Sequence, residues 1–250
     1  MTDNEHRFRN RAGVTTLPGY IRPLYEVSHR LWNGFNFLVS WVLAILTSVV
    51  AFVFFFVLNR TVVRGRRNLR VEKNTLYLSN HQTMIDSFLI GTILTLPRMI
   101  GRPSLIPHHP AASENFFGNP LLAWFSARWK CIPVRRGQRD FAALSLMTET
   151  LREGTMLIYP EGTRSRTGEI GTGRPGTGKL IHDTGAVCIP IRVRGMDRVL
   201  PIGRRVPRIF QRIEVIIGEP VALESVRELP SSRETSEAVI ARVMDSLRNL

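Results

Sequence analysis

His81 and Asp86 stand five residues apart in the segment Ser79-Asn80-His81-Gln82-Thr83-Met84-Ile85-Asp86. An imidazole oriented by a carboxylate is a general-base arrangement. The acid fixes the ring and stabilises the imidazolium that forms when the base takes a proton. The spacing sets a condition. In a continuous α-helix five residues turn through about 500°, which leaves the two side chains roughly 140° apart and unable to meet. They pair only if His81 stands in a turn and the helix begins after it. A short apolar run, Leu76-Tyr77-Leu78, leads into the segment, and another, 88–96, leads out. The pair therefore falls where a strand gives way to a helix, a junction at which α/β proteins gather catalytic side chains. The pattern is short, and taken alone it reads more simply as a helix start with an incidental His and Asp.

Two further strand-like runs end in charge. Ile158-Tyr159 passes into Pro160-Glu161-Gly162-Thr163-Arg164-Ser165, and Cys131-Ile132-Pro133-Val134 passes into Arg135-Arg136-Gly137. Arginine suits phosphate because its planar fork donates paired hydrogen bonds. Each loop alone is equally an ordinary solvated turn. The stretch Gly173-Arg174-Pro175-Gly176-Thr177-Gly178-Lys179-Leu180 approaches the phosphate-binding pattern GxxxxGK[ST]. Leu180 stands where the magnesium-binding hydroxyl is required, and residues 164–172 are polar rather than a buried strand, which argues against a nucleotide P-loop. What remains is a flexible loop with Lys179 at a helix start, either a phosphate contact or a simple turn. His108-His109 would make half a metal site, but no spaced set completes it. His182 reads as a structural helix residue. Cys131 and Cys188 form neither a metal pattern nor a disulfide framework, and a reducing compartment follows.

These residues need elements to hold them. Strand-like runs cover 75–79, 98–106, 131–134, 155–159, 186–193 and 212–217. Helix-like runs cover 84–96, 120–129, 140–152 and 178–184. Such alternation predicts a layered α/β domain. Asp140 can cap the third helix and Gly154 can close it. The last twenty residues open with a Ser-x-x-Glu capping box, Ser231 and Glu234, and place Val239, Ile240, Val243, Met244 and Leu247 on one face. That predicts a terminal helix docked on the core.

Upstream, residues 37–58 contain no charge and read FLVSWVLAILTSVVAFVFFFVL. These 22 residues span about 30 Å as a helix, enough for a bilayer core. The run begins too deep in the chain for a cleaved leader. It is followed by Arg60, Arg64, Arg66, Arg67, Arg70 and Lys73 against Glu72 alone. Beside an apolar anchor this cluster predicts contact with anionic headgroups, and it favours the cytoplasmic side for everything downstream. The whole chain carries a net charge of +14 from 34 basic and 20 acidic residues. Such an excess attracts polyanions. A nucleic-acid arm is disfavoured, because the basic cluster lacks interleaved aromatics and any nucleic-acid module.

In combination the motifs say more than each alone. Asn80-His81-x-x-x-x-Asp86, a strand ending Val134-Arg135-Arg136, Pro160-Glu161-Gly162-Thr163-Arg164-Ser165 and an apolar run around Pro190 follow one another in an order that resembles the glycerolipid acyltransferase family. The best-known members of that family are the lysophosphatidic acid acyltransferases. The resemblance spans roughly residues 60–220. It implies that His81 is a general base on a lysolipid hydroxyl, oriented by Asp86. The hydroxyl oxygen then attacks an acyl thioester with no covalent enzyme intermediate. It also implies that Arg136, Glu161, Gly162, Thr163 and Arg164 form the acceptor site, with Lys179 adding to the phosphate contact. Two departures stand out. The family more often has a non-basic residue where Arg135 stands, which assigns the phosphate to Arg136. The glycine-rich loop 168–178 is also longer than expected.

The expectations are therefore these. Residues 1–60 form a tail and membrane anchor. Residues 61–250 form an α/β catalytic domain, a mixed sheet flanked by helices. The chain transfers an acyl group from acyl-coenzyme A or acyl carrier protein to 1-acylglycerol 3-phosphate, giving phosphatidic acid. It uses no metal and no organic cofactor, since the thioester is a co-substrate. Its partners are membrane lipids and the thioester carrier, not nucleic acid. It works at a membrane with the catalytic domain on the cytoplasmic face, the inner membrane in a bacterium. The alternatives are the same chemistry on lyso-ornithine lipid, another lysophospholipid or glycerol 3-phosphate, or a non-catalytic lipid-binding protein of this fold.

Overall fold

The computed structural model describes residues 22–250 except 97, 99, 136–139, 166 and 167, with side chains from residue 34 onward. Contacts divide the chain into two units, Met1–Val42 and Leu43–Leu250. The division falls inside the apolar helix rather than after Arg60. Helix α1, Arg22–Phe52, runs on as a π-helical turn, Val53–Leu58. Within it Gly34–Leu58 is long and apolar enough to cross a membrane by length and composition. Large side chains along it, among them Leu38, Leu46, Val50 and Val57, are exposed. Asn59 ends the turn: its backbone N–H (3.0 Å), in the turn's own five-residue spacing, and its side-chain amide (3.1 Å) both donate to the Phe54 carbonyl.

The second unit is built on a five-stranded sheet of order β1-β7-β6-β2-β5. The strands are β1 (Arg60–Arg64), β2 (Thr75–Ser79), β5 (Thr155–Ile158), β6 (Val187–Arg194) and β7 (Arg212–Ile217). Only β6 and β7 pair antiparallel, so the sheet is mixed, as expected. Every residue of β2 is buried, the signature of a parallel strand covered on both faces. A second sheet pairs β3 (His109–Ala112) with β4 (Cys131–Val134). The main core joins Leu76, Leu78, Met156 and Ile158 of the sheet to α6 (Pro175–Thr184) and α9 (Arg233–Arg248). Helix α2, Asp86–Thr95, buries Leu89, Ile90, Ile93 and Leu94. It is apolar around most of its circumference, as a helix buried on more than one side must be.

Several expected elements move. The described residues of 98–106 form no strand. They turn and then make a 3₁₀ segment, Pro103–Leu105, and the strand comes later at His109–Ala112. Proline at 103 and 107 removes ladder donors. Lys130 instead collects the freed carbonyls of Pro103 (2.8 Å) and Ile106 (3.0 Å) on its ammonium. Asp140 caps α5, Phe141–Glu153, through the Ala143 N–H (3.0 Å). Gly154 closes that helix as expected, in an extended conformation at φ −148°. The chain passes straight into β5; the Leu151 carbonyl accepts from Gly154 N–H (3.2 Å) and from Asn74 N–H (3.1 Å), which also reaches the Gly154 carbonyl (2.8 Å). The terminal helix is capped by Ser232, which accepts from Thr235 N–H (3.0 Å), rather than by Ser231. The basic segment after the anchor contains an unexpected edge strand, β1, whose Arg64 pairs with Glu214 at 3.3 Å.

Helices α6 and α9 touch backbone to backbone. A Cβ at Gly178 would stand 1.9 Å from the Ser236 carbonyl oxygen. No rotamer relieves that clash, because the obstacle is main chain. Gly178→Ala is predicted to cost at least about 2 kcal/mol by forcing the helices apart. Denaturant unfolding of the detergent-solubilised protein measures this. An unchanged midpoint would show that the two helices do not pack this closely.

Candidate active site

The site begins where β2 ends. Residues 80–85 leave the sheet as a turn, and α2 starts at Asp86 itself. The condition set by the five-residue spacing is therefore met: His81 lies before the helix and Asp86 opens it. The His81 Nδ1 and Asp86 Oδ2 atoms are 3.0 Å apart. Asp86 has no solvent exposure, whereas the His81 side chain keeps 17%. Oδ2 also accepts the backbone N–H groups of Gln82 (2.6 Å) and Thr83 (2.9 Å), and Oδ1 accepts the Thr83 hydroxyl (2.6 Å). A carboxylate only accepts, so the bond to His81 assigns the ring proton to Nδ1. In the neutral ring Nε2 is then a free acceptor.

The ring is fixed by its face as well as its edge. Tyr159 stacks on it, with centroids 4.0 Å apart and planes 14° from parallel. The Tyr159 hydroxyl meets Ser87 Oγ, on the first turn of α2, at 2.9 Å. Burial pushes the Tyr159 phenol well above its usual value, and the Asp86 charge adds to that. Tyr159 is therefore a neutral platform and not a competing acid. Asn80 and Gln82, on either side of His81, anchor the turn. The Asn80 amide exchanges two hydrogen bonds with the Val193 backbone (2.9 and 2.7 Å), and Gln82 Oε1 accepts from Met196 N–H (3.0 Å).

The loop after β5 closes on the same turn. The Ser165 N–H donates to the His81 carbonyl (2.7 Å), and the His81 N–H donates to Glu161 Oε1 (3.2 Å). Glu161 Oε2 accepts from Gly171 N–H (2.9 Å). The buried Glu161 carboxylate is thus a staple between the histidine turn and the glycine-rich loop, facing main chain on both oxygens. Gly162 adopts φ +71°, which lets the chain reverse tightly beside Arg174. Thr163 and Arg164 follow it and are exposed next to the segment bonded to His81. Arg174, also exposed, bonds through Nε to the Glu161 carbonyl (3.3 Å).

The structure thus brings His81, Asp86, Glu161, Gly162, Thr163 and Arg164 into one neighbourhood. Lys179 is engaged elsewhere, paired with Asp183 (3.0 Å) and bonded to Ser231 (3.4 Å), because its place on α6 turns it toward the C-terminal segment. Arg136 lies outside the described residues. Its neighbour Arg135 donates its N–H to Asp140 (3.0 Å). His182 bonds to the Leu229 carbonyl (2.9 Å), a structural use. Among the described residues, no group of three or more His, Cys, Asp or Glu is arranged to hold a metal ion. Tyr159, Thr83, Gln82 and Arg174 were not singled out from the sequence. Thr83 had a signal: Thr-x-x-Asp before an apolar run is a capping-box spacing. Tyr159 had none, since its stacking depends on two segments about eighty residues apart.

A family model described as Acyltransferase matches residues 60–194, more than half of the chain. The chain belongs to the acyltransferase family. Similar proteins place it with the glycerolipid acyltransferases that its motif order resembles. A chloroplastic 1-acyl-sn-glycerol-3-phosphate acyltransferase from Arabidopsis thaliana is 26% identical over 163 residues, 64% of this chain and 43% of that protein. A 1-acyl-sn-glycerol-3-phosphate acyltransferase from Pseudomonas aeruginosa is 32% identical over 137 residues, 53% of this chain and 48% of that protein. An N-acylphosphatidylethanolamine synthase from Arabidopsis thaliana is 28% identical over 159 residues, 59% of this chain and 55% of that protein. The matches to the two 1-acyl-sn-glycerol-3-phosphate acyltransferases span less than half of those proteins' length. The crystal structure of the 1-acyl-sn-glycerophosphate acyltransferase PlsC from Thermotoga maritima shares the fold, with a TM-score of 0.57. It is 21% identical, over 88% of this chain and 90% of that one.

For this acyltransferase-family chain the Asp86 carboxylate carries a structural load beyond orienting the histidine. An amide at position 86 would turn an NH₂ group toward the donors that now surround it. Asp86→Asn is therefore predicted to lower unfolding stability by about 1–3 kcal/mol through unmade buried hydrogen bonds. His81→Ala removes the stack on Tyr159 and one of the four groups that meet the carboxylate, leaves the other three in place, and should cost less. Equal losses in denaturant titrations of the two variants would contradict this picture of the turn.

Proposed function

We propose that this protein acylates the free hydroxyl of 1-acylglycerol 3-phosphate, giving phosphatidic acid. The observation that carries the reading is the His81–Asp86 pair: Nδ1 is committed to a buried carboxylate, Nε2 is left to accept a proton, and the chain has an acyltransferase family's motif order. Nε2 takes the hydroxyl proton as the oxygen attacks the thioester carbonyl carbon. The tetrahedral adduct collapses, the carbon–sulfur bond breaks, and the departing thiolate takes the proton back from Nε2. Asp86 stabilises the imidazolium between these steps. Nothing becomes covalently attached to the protein, and neither a metal nor an organic cofactor is called for. Coenzyme A or acyl carrier protein supplies the thioester.

We assign the acceptor phosphate to Arg164, exposed one residue before the Ser165 N–H that bonds to His81, and the resemblance adds Arg136. Glu161 and Gly162 shape that site through the backbone rather than by touching the lipid. Lys179 has no part in this reading. The apolar segment 34–58 supports work at a membrane, where long-chain acceptors reside. The basic residues from Arg60 to Lys73 favour the cytoplasmic face. The relative named as an N-acylphosphatidylethanolamine synthase supports a second reading, in which the same base serves another lipid acceptor.

An acyl-transfer assay of the purified protein against a panel of lysolipids, with both coenzyme A and carrier-protein thioesters, tests the proposal. The highest kcat/KM is expected for 1-acylglycerol 3-phosphate. A faster lysolipid without a terminal phosphate would move the assignment to that acceptor, and inactivity on the whole panel would sink it. Arg164→Ala should raise KM for the phosphorylated acceptor roughly tenfold or more with little change in kcat, since ground-state and transition-state binding are lost together.

A further inference from the structure

Loop 201–210, between α7 (Met196–Val199) and β7, has a composition and a placement that the chemistry at His81 does not explain. It reads Pro201-Ile202-Gly203-Arg204-Arg205-Val206-Pro207-Arg208-Ile209-Phe210. Ile202, Val206, Ile209 and Phe210 are all exposed, Val206 and Phe210 to 76% each. Arg204, Arg205 and Arg208 stand exposed among them, and no acidic residue occurs between Arg198 and Arg212. The loop is tied down at both ends. The Arg208 N–H donates to the Val199 carbonyl (2.7 Å), and the Gln211 N–H to Asn59 Oδ1 (2.9 Å). Phe210 is held at φ +61°, a conformation that glycine or asparagine adopts far more readily. A constrained turn thus presents a large apolar side chain to solvent at a position that favours a smaller residue. Folding alone gives no reason for this, and strain of this kind points to use.

The neighbour of this loop says what it meets. The Phe210 N–H donates to the carbonyl of Leu58, the last residue of the apolar segment, at 2.8 Å. Val57 and Leu58 are themselves exposed, as is Val62 on the edge strand. If segment 34–58 occupies a bilayer, Leu58 stands at its interface, and Phe210 stands at the same depth. Apolar side chains interleaved with arginines are the composition of an interfacial contact. The apolar groups enter the acyl boundary and the guanidinium groups stay among anionic headgroups.

We propose that loop 201–210 is a second membrane contact, which docks on an anionic bilayer surface beside the end of the apolar segment. The contact also aims the active site. The loop leaves directly from α7, whose Met196 N–H is bonded to Gln82 in the histidine turn, so docking the loop sets the height of His81 above the lipid. The inference rests on the membrane residence proposed above, and the test separates the two.

The full-length protein is reconstituted in phosphatidylcholine vesicles with and without phosphatidylglycerol, each containing a phospholipid with a photoactivatable diazirine on its acyl chain. Adducts are mapped by peptide mass spectrometry. Adducts are expected on 201–210 as well as on 34–58, with those on the loop rising several-fold when phosphatidylglycerol is present. The combined variant Arg204→Gln, Arg205→Gln, Arg208→Gln should lose that rise while labelling of 34–58 stays the same. Adducts on 34–58 with none on the loop overturn the loop assignment and leave membrane residence standing, whether the loop faces water, a second copy or an acidic protein. Absence of adducts from both segments overturns both.

Discussion

One buried carboxylate organises this structure. Asp86 has no contact with solvent, and an unpaired charge in that position would be untenable. Its two oxygens are met by the N–H groups of Gln82 and Thr83, the Thr83 hydroxyl and the His81 ring. All four come from the turn that separates β2 from α2. The charge that starts the helix therefore also shapes the loop before it, and that loop delivers the imidazole. Thr83 and Asp86 interlock, with the acid accepting both the N–H and the hydroxyl of Thr83. Local helix-start chemistry and the general base thus share a single group.

Around that turn the fold acts as a clamp. β2 lies between β6 and β5, and all three strands run parallel toward the end where the site forms. Asn80 ties the turn to β6, Gln82 ties it to α7, and Glu161 and Ser165 tie it to the loop after β5. Ligand sites of open α/β sheets belong at the carboxyl ends of strands because the loops there converge from several directions. Here the convergence leaves His81 few freedoms: its edge meets Asp86, one face meets Tyr159, and its main chain is bonded on both sides.

What the sequence revealed follows the range over which each interaction acts. The His81–Asp86 pairing was legible because it is local and its spacing demanded a turn before a helix. The strands β2, β4, β5 and β7 were legible as apolar runs, and Asp140 as a cap. No strand forms among the described residues of 98–106, because prolines override an apolar composition. β1 was missed because its partner β7 lies some 150 residues along the chain, and β3 because it is a four-residue run interrupted by Pro110. The terminal cap shifted by one residue, from Ser231 to Ser232, which two adjacent serines make unreadable from spacing. Glu161 was expected to face the acceptor, but its carboxylate is taken by the backbone of His81 and Gly171. Lys179 was read from a motif-like loop and is held by Asp183. Tyr159 was invisible as a positioning residue because stacking requires two segments to meet in space.

The central claim is that His81 and Asp86 act as one proton-transfer device. The most direct measurement is a double-mutant cycle on acyl transfer by reconstituted protein, comparing His81→Ala, Asp86→Asn and the combination. His81→Ala should lower kcat by roughly 10²–10⁴, the usual worth of a general base, and adding Asp86→Asn should lower it no further, because the carboxylate acts through the ring. Activity retained in His81→Ala, or losses that simply add, would contradict the account.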